Sequence, residues 1–370
     1  MAKTKIDDRD RDRGVTDKIG LGALGLVVVG LALVVWLALP KGEPTIAASD
    51  AAAEGSAADA GKPPAPSTLD VLPEATAELV ILTDKPESDA HKVATPEAVA
   101  ALLEARHCGS ACDAVKKHVA DKERFEIDVS KTDEYIVPPK ESFDTVAPGL
   151  TPRERASIGQ KPVVVVVRAR GPVTVDQIAA RAAFAATSAL AEALSGFVYD
   201  EVVRRIETPA LFAQRVITAP LGQPVFAPRH IVVQVLRQDD GSAHLSTLGM
   251  VRFGSPDFAM RGSSMELAPA LTNVMNAAAS FAASARRELP LVVALDDVAR
   301  VIGRPVAELS SEPAASRPMR LDAAPAERSE GDPENDVLEL MPDGGDTREI
   351  WASAVTGLFG AKPDASSRQQ

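Results

Sequence analysis

Two cysteines, Cys108 and Cys112, flanked by His107 and His118, are the residues best suited to chemistry. Sulfur and imidazole in one short stretch allow three uses. Outside a reducing compartment a nearby pair oxidises, and this pair straddles a helix-to-helix turn at Gly109-Ser110 that a disulfide would close. So short a loop gains little chain entropy, at or below the low end of ~2–4 kcal/mol. The second use is thiol–disulfide exchange, with Cys108 attacking and Cys112 resolving. The third is a Cu or Zn site drawn from His107, Cys108, Cys112 and His118, although C-x-x-x-C is not the C-x-x-C with paired histidines of structural zinc. The spacing favours the disulfide, and no cofactor is expected.

Other chemistry is thinner. His91, His230 and His244 are scattered, and a Ser-His-Asp set through His230 lacks the Gly-x-Ser-x-Gly elbow that would fix a nucleophile. Asp296 and Asp297 adjoin, so on a helix they point about 100° apart and share no site. Asp239-Asp240-Gly241 reads as a turn, without the later ligands of a calcium loop. The stretch Leu248-Gly-Met-Val-Arg-Phe-Gly-Ser-Pro-Asp-Phe258 carries two glycines with wide backbone freedom and a proline that ends a strand ladder. It reads either as a bulged strand entering a turn or as a ligand-contacting loop made by Gly249, Gly254, Pro256 and Asp257.

That stretch resembles the signature of an uncharacterised bacterial domain family, which shows Gly-Met or Gly-Leu, then Phe-Gly-x-Pro-Asp/Glu. An alanine-rich helix running into Gly196-Phe-Val-Tyr-Asp200 is similar to the same family's helix-to-strand junction. The likeness covers about residues 163–285. It implies an α+β fold and no activity.

The elements that would position these residues follow from pattern. Ala77–Thr83, Arg124–Val129 and the β-branched run Val163–Arg170 read as strands. Thr95-Pro96-Glu97 opens a helix with a capping threonine, a first-turn proline and an acid; Gly109 ends the segment, and Ser110 with Asp113 has capping-box spacing for the next. Thr174 and Gln177 make a second such box before an alanine-rich helix that stops at Gly196. Phe197–Tyr199 is a further strand, Thr208-Pro209 opens a short helix to Val216, and Asp239-Asp240-Gly241 joins Ile231–Leu236 to His244–Phe253 as a hairpin. A last long helix spans Pro269–Arg287. Helices and hairpins so mixed predict α+β, as a small subdomain over 68–160 and a second domain over 161–309. Residues 310–370 read as a largely disordered tail, with an apolar patch at Val337–Met341 and a helix over 347–359.

Where the protein sits follows from its first residues. Ile19–Leu39 carries no charge; its 21 residues reach ~31 Å as a helix, the thickness of a hydrocarbon core. Lys3, Lys5, Arg9, Arg11, Arg13 and Lys18 precede it, against Lys41 and then Lys62 beyond, so the tail 1–18 is expected in the cytoplasm. The run is longer than a signal-peptide core, which favours an uncleaved anchor. Gly20-Leu-Gly22-Ala-Leu-Gly25 matches a dinucleotide fingerprint by letter, but no strand precedes it and lipid-length apolar chain follows. A polar linker, 42–67, would tether the body to the inner, plasma membrane from its periplasmic or extracytoplasmic side. Beyond residue 18 the chain holds 34 basic and 47 acidic residues, a balance of −13 that argues against nucleic acid. The expected partners are the bilayer and a protein of the envelope. The expected function is non-enzymatic binding or scaffolding, and the alternative is a thiol–disulfide or metal-binding protein using Cys108 and Cys112.

Overall fold

A computed structural model describes residues 69, 72–132, 135, 137–216, 221–284, 288–327 and 335–360. The expected tail 1–18, span 19–39 and linker 42–67 lie outside them. Among the described residues no helix is long and apolar enough to cross a membrane.

The amino-terminal half builds a five-stranded sheet from β1 (Ala75–Thr83), β2 (Phe125–Lys131), β3 (Val163–Gly171), β4 (Phe197–Asp200) and β5 (Arg205–Glu207), in the order β2-β3-β1-β4-β5. All its pairings are antiparallel, and β1 meets β3 over its whole length, from Ala75 opposite Gly171 to Thr83 opposite Val163. The valine run of β3 is unbroken because both faces are covered. Val163, Val165 and Val167 face one core, and Val164 and Val166 another. The first core is capped by α1 (Pro96–Leu102), α2 (Cys112–Val119) and α3 (Ile178–Ala193). Helix α3 is buried continuously from Ala179 to Ala191, as befits a helix of small residues wedged between a sheet and other helices. Its exit needs Gly196: a Cβ there would lie 2.6 Å from Ile81 Cγ2 and 2.9 Å from the Leu82 carbonyl oxygen. After β5, α4 (Pro209–Val216) leads toward the second half.

The second half builds a six-stranded mixed sheet. Its strands are β6 (Val232–Arg237), β7 (Ser242–Leu248), β8 (Asp257–Ser264), β9 (Leu291–Val293), β10 (Met319–Pro325) and β11 (Val337–Pro342), ordered β6-β7-β8-β11-β10-β9. Only the β8–β11 pair among these is parallel. One core joins this sheet to α5 (Ala268–Ala283), α6 (Leu295–Ile302) and α7 (Arg348–Phe359), through Phe258, Met260, Leu271, Val274, Leu340 and Trp351 among others.

The α+β class holds, with two sheets. The expected boundary at 160/161 is corrected, because β3 lies between β2 and β1 and belongs to the earlier segment's sheet. The expected disordered tail is corrected too: β10 and β11 are interior strands of the second sheet. Trp351 of α7 is fully buried, and its indole N–H donates to the Arg261 carbonyl at 2.7 Å. Composition misled here, because a strand flanked by polar loops needs only a few apolar residues once its neighbours supply the rest of the core. Both capping boxes are also overruled. Helix α2 starts from Ala111 with no side-chain cap, and Gln177 stands at the start of α3 in the left-handed region, φ 49°.

Candidate functional site

The structure joins Cys108 and Cys112 in a disulfide, their Cα atoms 4.9 Å apart across the turn before α2. Gly109, at φ 54°, makes the reversal. The His107 ring caps the turn, with Nδ1 accepting from the Glu104 backbone N–H at 3.1 Å, while Nε2 lies 3.5 Å from Glu192 Oε2. His118 stands instead in the last turn of α2, against Gly171 at the end of β3. Of the set drawn from sequence, the structure therefore brings the two sulfurs together and gives the two imidazoles separate surroundings. Among the described residues no group of three or more His, Cys, Asp or Glu is placed to hold a metal ion.

The loop 249–257 is packed inside the molecule. Gly249 (φ 114°) and Gly254 (φ 64°) bracket a single 3-10 turn, Met250–Phe253, between β7 and β8. Left-handed backbone at both ends is why both are glycine. Gly249, Gly254, Pro256 and Asp257 are all buried. Asp257 Oδ1 accepts from Thr247 Oγ1 at 2.8 Å and from the Met250 N–H at 3.1 Å, and Oδ2 accepts from Asn335 Nδ2 at 3.1 Å. Burial pushes its carboxyl up to about 6, against the pull of those three donors. Asp257 thus ties β7, the turn and the start of β11 into one unit.

The same turn carries Arg252, whose chemistry no local pattern announces. Its guanidinium is fully buried and grips Asp200 at the end of β4 with two nitrogens, Nη1 at 3.0 Å from Oδ2 and Nη2 against Oδ1. Nη1 also donates to the His230 carbonyl at 3.2 Å. From the other side, Arg215 of α4 reaches Asp200 Oδ2 at 3.1 Å and Glu207 Oε2 at 2.8 Å, and donates to the Arg229 carbonyl at 3.2 Å. Two buried arginines thus meet two carboxylates, and a third, the partly exposed Arg205, lies 3.9 Å from Glu207 Oε1. Burial alone would push the Asp200 carboxyl up, but Arg252 and Arg215 together hold it below the ordinary value. The His230 ring stacks on Phe184 of α3 with centroids 4.5 Å apart, and Phe253 meets it edge-on at 6.3 Å. Burial first, then Arg215 and Arg252, hold this imidazole well below its usual range, so it stays neutral.

A bidentate arginine–carboxylate pair constrains both distance and angle, so Asp200–Arg252 ties the end of β4 to the turn between β7 and β8. With every charge paired and all four side chains nearly inaccessible, the cluster is built as a clamp. Its two central residues, Asp200 and Arg252, come from the two sequence segments that carried the family resemblance. No known protein family matches the chain, and neither does any curated protein or solved structure.

Proposed function

We propose that this chain is a membrane-anchored protein whose folded body lies outside the cytoplasm and binds or scaffolds a partner in the envelope. The observation that carries the reading is the charge-free stretch Ile19–Leu39, with six Lys/Arg before it and only Lys41 close behind. The disulfide between Cys108 and Cys112 supports it, since such bonds persist in oxidising compartments. So does the buried cluster of Asp200, Glu207, Arg215 and Arg252, whose charges are paired with one another. A rigid body on a polar tether suits binding.

Protease added to spheroplasts tests the topology. The expected outcome is digestion of everything beyond Lys41, with the fragment 1–41 protected. A body that stays intact while an external control protein is cut overturns the reading. Crosslinking in intact cells, followed by purification of the chain, then identifies what it holds. Turnover by the purified chain of any compound in a hydrolase and oxidoreductase panel would replace scaffolding with catalysis.

A further inference from the structure

Where the chain enters its folded body is set by one strand pair. Strand β1 begins at Ala75, opposite Gly171, where β3 ends. Ahead of β1, the Leu72 N–H donates to the Gly254 carbonyl at 3.1 Å, and Leu69 lies buried in one core with Val225, Ala227 and Ile231. Beyond β3, the segment 172–177 leaves the same end of the sheet. Its Val173 packs on Gly254, where an added Cβ would stand 2.0 Å from Val173 Cγ2. The entering chain and the segment 172–177 therefore meet at one glycine.

The segment 172–177 is bonded in turn to 221–226. Asp176 Oδ1 accepts from the Gly222 N–H at 2.6 Å, and Gln177 Oε1 accepts from the Val225 N–H at 2.8 Å. Arg181 Nη2 donates to the Gln223 carbonyl at 2.9 Å. These two segments hold three of the four large apolar side chains that are exposed among the described residues: Val175 at 45%, Leu221 at 40% and Phe226 at 41%. Exposed apolar side chains scattered singly are ordinary, but three on two bonded segments form a patch. The chain is 25% charged, yet over 172–177 and 221–229 the only charged residues are Asp176 and Arg229. Asp176 holds the Gly222 N–H, while Arg229 is exposed, its guanidinium 5.9 Å from the Phe226 ring centroid.

Resting on the anchored reading proposed above, we infer that the folded body lies against the bilayer that anchors it, through Val175, Leu221 and Phe226, with Arg229 at the lipid phosphates. Three side chains fall far short of the roughly 20–30 residues a side that a stable protein interface uses. They suit a surface that is always near. A polar coil as long as the expected linker 42–67 spans about 30 Å, and the chain enters the body beside the patch. The contact is thus intramolecular in effect, and a weak one suffices. Phe226 and Leu221 enter the boundary between headgroups and acyl chains, and the Arg229 stem lets its charge stay at the polar level.

The test uses the full chain in phosphatidylcholine vesicles. Cys108 and Cys112 are bonded to each other, so a fluorophore goes only to an introduced thiol. Gln223→Cys places it on the patch, and Lys85→Cys places it past the far end of β1, about 30 Å away. The expected result is that phosphatidylcholine brominated near the headgroup quenches the probe at 223 and leaves the probe at 85 bright. Leu221→Ser with Phe226→Ser, both at exposed positions where the fold tolerates exchange, should abolish that quenching. Flotation of the same vesicles separates the two readings. Chain left behind by the floating vesicles overturns the anchor, and the membrane contact of the body with it. Chain that floats while the probe at 223 stays bright, is quenched no more than the probe at 85, or stays quenched in the double-serine variant, overturns the contact alone. A probe at 223 that neither lipid bromine nor aqueous iodide reaches overturns it too, and puts a second copy of the chain over the patch instead.

Discussion

Asp200 carries more than its own ion pair, because it sits between two buried guanidinium groups and only one of them has a second carboxylate. Arg215 keeps Glu207 at 2.8 Å if Asp200 is lost; Arg252 keeps only the His230 carbonyl. Asp200→Ala is therefore expected to cost about 3–5 kcal/mol, the usual price of stranding a buried charge. Asp200→Leu combined with Arg252→Met removes both ends and leaves the Arg215–Glu207 pair balanced, so it should recover part of that loss. Urea denaturation of the three proteins, closed as a double-mutant cycle, measures the difference. Asp257 acts in the opposite sense. Its folded value, about 6, lies above that of an unfolded aspartate. The stability it gives is thus full below about pH 4 and is lost as pH rises through 6, by about 3 kcal/mol at most. Asp200, held low, loses its contribution as pH falls through the acidic range. Asp257→Asn should flatten the pH dependence of the urea midpoint between about pH 4 and 7, and an unchanged slope would remove Asp257 from the account.

Among the elements, α7 and β11 contribute most that composition concealed. Strand β11 gives β8 its parallel neighbour, from Val337 opposite Asp257 to Glu339 opposite Ala259, and α7 covers the joint with Trp351, Val355 and Leu358. Trp351→Ala should cost about 3–5 kcal/mol, as large-to-small changes of buried aromatics do, and should expose β8 and β11 to hydrogen exchange first. The turn before α2 should matter far less. Replacing both Cys108 and Cys112 with serine shortens no strand and opens a very short loop, so a loss of about 2 kcal/mol is expected by thermal denaturation, with the fold retained. A larger loss would mean that the disulfide also holds α2 against α3.

At the scale of the whole molecule, two antiparallel-rich sheets are joined by the clamp and by other bonds, among them Gln177 Nε2 to the Ala283 carbonyl and the Leu72 N–H to the Gly254 carbonyl. The clamp is the part of that joint made of buried charges. Asp200→Ala is accordingly expected to split thermal unfolding into two steps by calorimetry, with the sheet of β1–β5 and the sheet of β6–β11 melting apart. A single transition that merely moves to lower temperature would show that other contacts couple the sheets.

Much of the local structure could be read from the chain. The β3 valine run, the Thr95-Pro96 and Thr208-Pro209 helix starts, the hairpin at Gly241 (φ 78°) and the α7 helix after Thr347 all appear where pattern put them. Each depends on residues within a turn or two of one another, and steric preference and hydrogen bonding act over that range. The joining of β3 to β1, the place of β10 and β11 inside a sheet, and the spending of Gln177 on Ala283 and Val225 could not be read. Nor could the meeting of Asp200 with Arg252, 52 positions along the chain. A charged residue in an apolar stretch looks the same whether it faces water or a buried partner, and only the packing of distant segments decides which.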